Sequence, residues 1–182
     1  IVVCLSSIAI TEIHEMLLNS NVVPALLWTS ENDFEFGGWS LSAYAAAAAA
    51  NLIGRNEEGL TLTRGAVSSV LSNWLQYFDP SSRRRSYPAH KVATETAAVA
   101  NISISDANKA FIVEHAGVME ALAMGLLVEP SDPRVGQKGA SELQTASTRA
   151  LQNLALSPIG VTPLRSHSGV MRGMREVAKA GM

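Results

Sequence analysis

Aromatic residues are scarce in this chain, at 5% of 182 positions, although hydrophobic residues make up 47%. The apolar content is therefore mostly Ala, Leu, Val and Ile. That weighs against a β-sandwich, which draws on aromatic and β-branched side chains, and favours close-packed helices. Charge is also sparse. Only 16% of residues are Asp, Glu, Lys or Arg, low for an isolated soluble domain, as expected if part of the surface is covered in a larger protein. The net charge of −2 lacks the basic excess that general nucleic-acid binding needs. The single cysteine, Cys4, cannot form an internal disulfide, so a reducing compartment is expected. It lies in an apolar run, where a free thiol behaves as a small buried hydrophobe.

Long apolar runs are missing too. The longest, Leu41 to Ile53, is mostly alanine and is interrupted by Ser42 and Asn51. It falls short of the ~20 residues a membrane span requires. The opening segment, residues 1–10, lacks the basic start of a signal peptide and reads as the end of a truncated repeat. The chain begins with Ile1, as expected of a fragment of a longer protein. With no targeting signal in view, a cytoplasmic or nuclear setting is the default expectation.

Catalytic signatures are absent as well. The sequence contains no Walker-type phosphate loop, dinucleotide fingerprint, serine nucleophile elbow or zinc-protease helix. The carboxylates Glu12, Glu15, Glu57 and Glu58 sit at positions expected to be exposed, and nothing marks any of them as an acid or base. No enzymatic role and no cofactor are expected.

What the chain does have is repetition. Residues 101–122 read NISISDANKAFIVEHAGVMEAL and residues 153–174 read NLALSPIGVTPLRSHSGVMRGM. Asn101, Ser105, His115 and the run Gly117-Val118-Met119 match Asn153, Ser157, His167 and Gly169-Val170-Met171 at one constant offset of 52 residues, without a gap. A weaker upstream copy begins at Asn51-Leu52-Ile53. Repetition at this spacing points to stacked helical units instead of one closed core.

Each copy follows one rule. An Ala-rich helix ends near an Asn, over 40–53, 90–104 and 140–156. Ala48, Ala98 and Ala150 lie one helical turn before that Asn, where a small side chain permits close approach of a neighbour. A polar turn follows, near residues 54–56, 105–108 and 157–160. A short apolar helix then ends at a small residue, Ala66, Gly117 or Gly169, where glycine allows a sharp bend. A second amphipathic helix runs over 67–78, 118–128 and 170–180. In the middle copy Val118, Ala121, Leu122, Gly125 and Leu126 recur at three- and four-residue steps. Polar links at 29–38, 79–88 and 129–139 separate the copies. The whole chain is therefore expected to be a single repeat domain, with units of about 1–39, 40–88, 89–139 and 140–182.

The segments TAAVANIS…IVEHAGVMEAL, TRALQNLAL…LRSHSGVMRGM and, more weakly, AAAAANLI…LTRGAVSSVL resemble the armadillo-repeat family, with the HEAT repeat as the structural competitor. The resemblance implies an all-α, superhelical solenoid of three to four helical repeats. It further implies a protein–protein interaction module whose third helices line a concave groove for an extended peptide or a partner helix. On that basis Asn51, Asn101 and Asn153 would sit on the groove. In nuclear-import adaptors of the family a Trp four residues before the Asn helps to hold basic peptides. Here those positions are Ala47, Ala97 and Arg149, so that ladder is absent. The Ala43–Ala50 stretch would leave room for a bulky partner segment. Uncapped ends would expose Cys4, Leu5, Met174 and Val177, ready to stack on flanking repeats or another subunit. An alternative reading is a permanent subunit of a large cytoskeletal or organellar assembly, and a further one is a helical enzyme with an unmarked site.

Individual residues keep two readings each. The asparagines can hydrogen-bond a ligand backbone, or satisfy helix C-terminal carbonyls. His115 and His167 are repeat-equivalent but a whole unit apart, so a structural role before the bend outweighs a metal site, which needs convergent ligands. His14 and His90 have no evident partners. The run Arg83-Arg84-Arg85-Ser86 is either a solvated loop or a contact for acidic partners or phosphates, and it resembles a basophilic kinase site whose phosphorylation would reverse the local charge. The segment 31–36 alternates acidic and aromatic residues, as either an intrachain dock or a partner contact.

Overall fold

Alanine is the strongest helix former, and Gly, Pro and Asn punctuate this chain at regular places. A computed structural model describes residues 16–32, 35–36, 39–53 and 60–180. The regular structure of the described residues is helical, apart from a two-residue antiparallel pairing of β1 (Glu35–Phe36) with β2 (Trp39–Ser40). The helices are α1 (Val22–Glu31), α2 (Leu41–Ile53), α3 (Arg64–Leu75), α4 (Ala89–Ile102), α5 (Asp106–Glu114), α6 (Val118–Gly125), α7 (Ala140–Ala155), α8 (Pro158–Ser166) and α9 (Ser168–Ala180). A 3-10 turn spans Arg83–Ser86. The expectations placed on residues 1–15 (Cys4, Leu5, Glu12, His14 and Glu15 among them) and on the turn at 54–59 lie outside the described residues.

The helix boundaries follow local chemistry. Thr63 caps α3 by accepting from the Ala66 amide. Pro158 occupies the first turn of α8, where a missing N–H costs nothing. Gly117 and Gly139 stand just before α6 and α7 with φ of 85° and 92°, a backbone region that other residues enter only with strain. Gly169 does not play the matching part. It lies inside the first turn of α9, which starts at Ser168, and Ala66 likewise lies within α3.

Like helices pack on like. Helix α4 packs most extensively against α7, and its other neighbour of the same kind is α2. Helix α5 meets α8, and α6 touches both α3 and α9. Ala48, Ala98 and Ala150 are all fully buried, as their spacing predicts. So are Val118, Leu122 and Leu126. Trp74 joins α3 to α4: its indole N–H donates to Thr96 at 2.9 Å, and its ring meets Phe78 edge-on with centroids 5.1 Å apart.

Two expectations are overturned. Ala43–Ala50 form no open lining. Every one of them is buried, because α1, α3 and α4 all pack against α2, and a helix apolar on all sides is enclosed on all sides. Met174 and Val177 are not exposed end residues either; they are partly buried against the core. The exposed apolar side chains at that end are Leu156 and Ile159, 81% and 50% accessible.

Close backbone approach sets the start of α8. A Cβ at Gly160 would lie 2.1 Å from the Leu154 carbonyl oxygen, and backbone cannot move aside cheaply. Gly160→Ala is expected to destabilise the chain by about 1–3 kcal/mol. Gly65, in α3, has open space around its Cβ position, so Gly65→Ala should stabilise by about 0.4–1 kcal/mol through the unfolded state. Urea midpoints should move in opposite directions for the two variants.

Candidate partner-binding groove

Helical spacing puts His90, Ala93, Thr94 and Ala97 on one face of α4, and Ser141, Glu142, Thr145 and Arg149 on one face of α7. Together with Lys138 and Gly139 from the preceding link they line a groove of about 650 Å3. Its floor is small because Ala93, Ala97 and Ala146 are small. Its rim is polar. Gly139 closes one end: a Cβ there would come within 2.4 Å of the His90 backbone.

Of the resemblance-derived residues only Ala97 and Arg149 line this groove, and the asparagines are engaged within the chain. The Asn101 side-chain amide donates to Oδ1 of Asn51 at 3.0 Å, and the Arg149 guanidinium donates to Oδ1 of Asn101. Asn153 donates to the Ala100 carbonyl at 2.9 Å and to the Ser103 hydroxyl at 3.3 Å. The amides thus tie α2, α4 and α7 together, and Asn153 serves a C-terminal carbonyl of α4. Ala97 is half-buried on the groove wall, whereas Ala47 is buried inside α2's packing and presents no open surface.

The arginine run is not a solvated loop. Only Arg83 of the three is exposed. Arg84 donates to the Asn73 side-chain oxygen Oδ1 and lies over the Tyr77 ring. Arg85 pairs with Asp132 at 3.4 Å. Asp132 is itself buried and accepts from the Arg134 backbone amide and guanidinium at 2.9–3.1 Å. Arg134 is almost wholly enclosed, stacked 4.8 Å from the Phe78 ring centroid. The Ala89 amide donates to Gln137 at 3.0 Å. These bonds clamp the link 129–139 onto the start of α4, which fixes the groove rim.

The histidines hold helices to one another. His115 Nε2 meets the Ser72 hydroxyl at 3.2 Å, and His167 Nε2 meets Glu120 at 3.3 Å while Nδ1 accepts from the Val170 amide. Among the described residues no group of three His, Cys, Asp or Glu could hold a metal ion. No helix there is long and apolar enough to cross a membrane.

Two polar centres escaped the sequence reading. Asn108 is completely buried. It accepts from the Leu62 amide at 3.0 Å and donates to the carbonyls of Leu60 and Ile102 at 2.6 and 2.9 Å. The repeat gave no signal for it, since the equivalent position is Gly160, which fits against the equivalent Leu154 carbonyl instead. Behind the groove, Tyr44 of α2 shares hydrogen bonds with Tyr77 and Asn73, and Glu95 of α4 faces the same cluster. Burial raises both tyrosine hydroxyls. Burial also pushes the Glu95 carboxyl up to about 7, against a smaller opposing pull from Arg84 and Lys91.

No family model, curated protein or solved structure matches the chain.

Glu95 makes stability depend on pH. The unfolded carboxyl releases its proton near its ordinary value of 4.5, whereas the folded one keeps it to about 7. Folding therefore binds a proton in this window, and stability falls as pH rises through it. Glu95→Gln should abolish that fall. The variant should match the parent near pH 4 and exceed it by about 1–3 kcal/mol near pH 8, read by circular-dichroism melts across that range.

Proposed function

We propose that the chain is an armadillo-like α-solenoid that works, without catalysis, as a protein-binding module, and that the groove between α4 and α7 receives an extended segment or helix of a partner protein. The observation that carries this reading is the groove itself: a small-floored, polar-rimmed depression of about 650 Å3 on adjacent Ala-rich helices. The packing of like on like, α2 to α4 to α7, α5 to α8, and α3 to α6 to α9, supports the solenoid part. Polar contacts inside the groove would come from Thr94, Thr145, Glu142 and Lys138, because the asparagine amides already bond to the chain itself. A protein partner is favoured over nucleic acid because the net charge is −2 and the rim carries both signs.

A second reading, a permanent subunit of a larger assembly, draws on a different observation. Leu156, just after α7, and Ile159, in the first turn of α8, are both exposed, and Trp28 is 60% exposed in α1. Neighbouring exposed apolar side chains of this kind mark interaction surfaces.

One experiment separates the two. The full chain is used as bait, and co-purified proteins are quantified for Ala97→Arg and Thr145→Arg, which fill the groove, and for Leu156→Glu with Ile159→Glu, which charge the end. The groove reading expects the two groove variants to lower recovery of the same proteins at least about tenfold, equivalent to about 1.4 kcal/mol, with the end variants unaffected. The reverse pattern supports the assembly subunit and overturns the groove.

A further inference from the structure

The arginine run ends on a serine whose surroundings set it apart from its neighbours. Ser86 closes the 3-10 turn and is exposed. Its hydroxyl donates only to the Arg83 carbonyl at 2.9 Å, a local bond that breaks when the short turn opens. Arg83, three residues before it, is exposed. Arg84 and Arg85 lie between them. We propose that Ser86 is a phosphorylation site for an arginine-directed serine/threonine kinase, with Arg83 and Arg84 as the recognition cations. This does not rest on the groove reading.

In the transfer, the Ser86 Oγ attacks the γ-phosphorus of ATP. The new O–P bond forms as the bond to the β-phosphate bridging oxygen breaks. ADP leaves with that electron pair, and the hydroxyl proton passes to the kinase's base.

Three features favour this residue over the adjacent serines. Ser81 and Ser82 have no arginine on their N-terminal side in this link, and the Ser81 hydroxyl is held by the Asp79 carboxylate at 2.8 Å. The Ser82 hydroxyl caps the turn by accepting from the Arg84 amide. The phosphate would sit just ahead of Pro88, the N-cap of the fourteen-residue α4, whose first turn carries no acidic residue and no side-chain cap. A dianion is well tolerated there. It would take the turn from three positive charges to about one, so it lowers the local charge without reversing it as the run alone suggested. Arg84's bond to Asn73 and its stacking on Tyr77 must yield while the kinase is bound, so the modification is expected to be slower on the folded chain than on a free peptide.

The test uses the folded full chain, ATP and a kinase that selects arginine two and three residues before serine, with sites mapped by mass spectrometry. A synthetic peptide of residues 79–90 runs in parallel. The expected result is one phosphate on Ser86 of the folded chain, absent in Ser86→Ala, with the initial rate lowered at least about tenfold in Arg83→Ala. Because Arg83 is exposed, that variant should keep the parental circular-dichroism melt. Phosphate on the peptide but not on the folded chain would overturn the proposal, since the fold would then hide the site. So would an unchanged rate in Arg83→Ala, or failure of both substrates.

Discussion

Everything in this molecule depends on how closely its helix backbones approach. With few aromatics, the core cannot be filled by large side chains, so the spaces between helices must be narrow. Ala45–Ala50 are all buried among α1, α3 and α4. Gly125 brings α6 against Ser147 of α7, where a Cβ would fall 2.2 Å from the hydroxyl. Gly160 rests on the Leu154 carbonyl and Gly139 on the His90 backbone. Each alanine removes little apolar area from water, but dense contact at short range recovers dispersion energy that a looser core would lose. Small residues are therefore structural determinants here, and enlarging them costs more than their size suggests.

Close approach creates a second demand. Backbone carbonyls at helix ends are drawn inward, away from water, and each needs a donor. The chain answers with side-chain amides. Asn108 serves the carbonyls of Leu60 and Ile102, and Asn153 serves Ala100. The same logic explains the buried charges. Asp132 holds Arg134 and Arg85 inside the link, and Lys109 is buried with its ammonium on Asp106. A buried charge persists only when paired and hydrogen-bonded. Several of the chain's few charges are thus committed internally, which leaves less charge for its surface.

Much of the helical layout was legible in the sequence. The breaks at Gly117 and Gly139, the three alanines one turn before an asparagine, and the apolar stripe of α6 all lie where local rules put them, whereas the turns expected at 105–108 and 157–160 are mostly taken up by the first turns of α5 and α8. What was not legible depended on partners distant in sequence. The arginine run reads as solvated until Asn73 and Asp132 are seen beside Arg84 and Arg85. An alanine stretch reads as an open lining until the helices enclosing it are counted. Asn108 looks like any turn residue, since no local pattern reveals three buried backbone partners. Gly169 matches Gly117 in the alignment of the repeats, yet only Gly117 adopts the left-handed backbone, because the third copy begins its last helix two residues earlier relative to the glycine. Of the groove between α4 and α7, the sequence singled out Ala97 and Arg149, but not the link residues Lys138 and Gly139 that finish it.

That last point bears on how such a groove would be tuned. Its walls are helices locked by their neighbours, so they have little freedom to adapt. Its rim belongs to the link 129–139, and the rim is positioned by side chains that never face the groove: Asp132 through Arg85, Arg134 over Phe78, and Gln137 through the Ala89 amide. A substitution in this buried clamp would shift Lys138 and Gly139 while leaving α4 and α7 in place. On the groove reading, selectivity then resides in the link and affinity in the helices, and the two can vary separately. The short turn at Arg83–Ser86 feeds directly into that clamp through Arg85. A change of charge at that turn would therefore act on the rim through the Arg85–Asp132 pair.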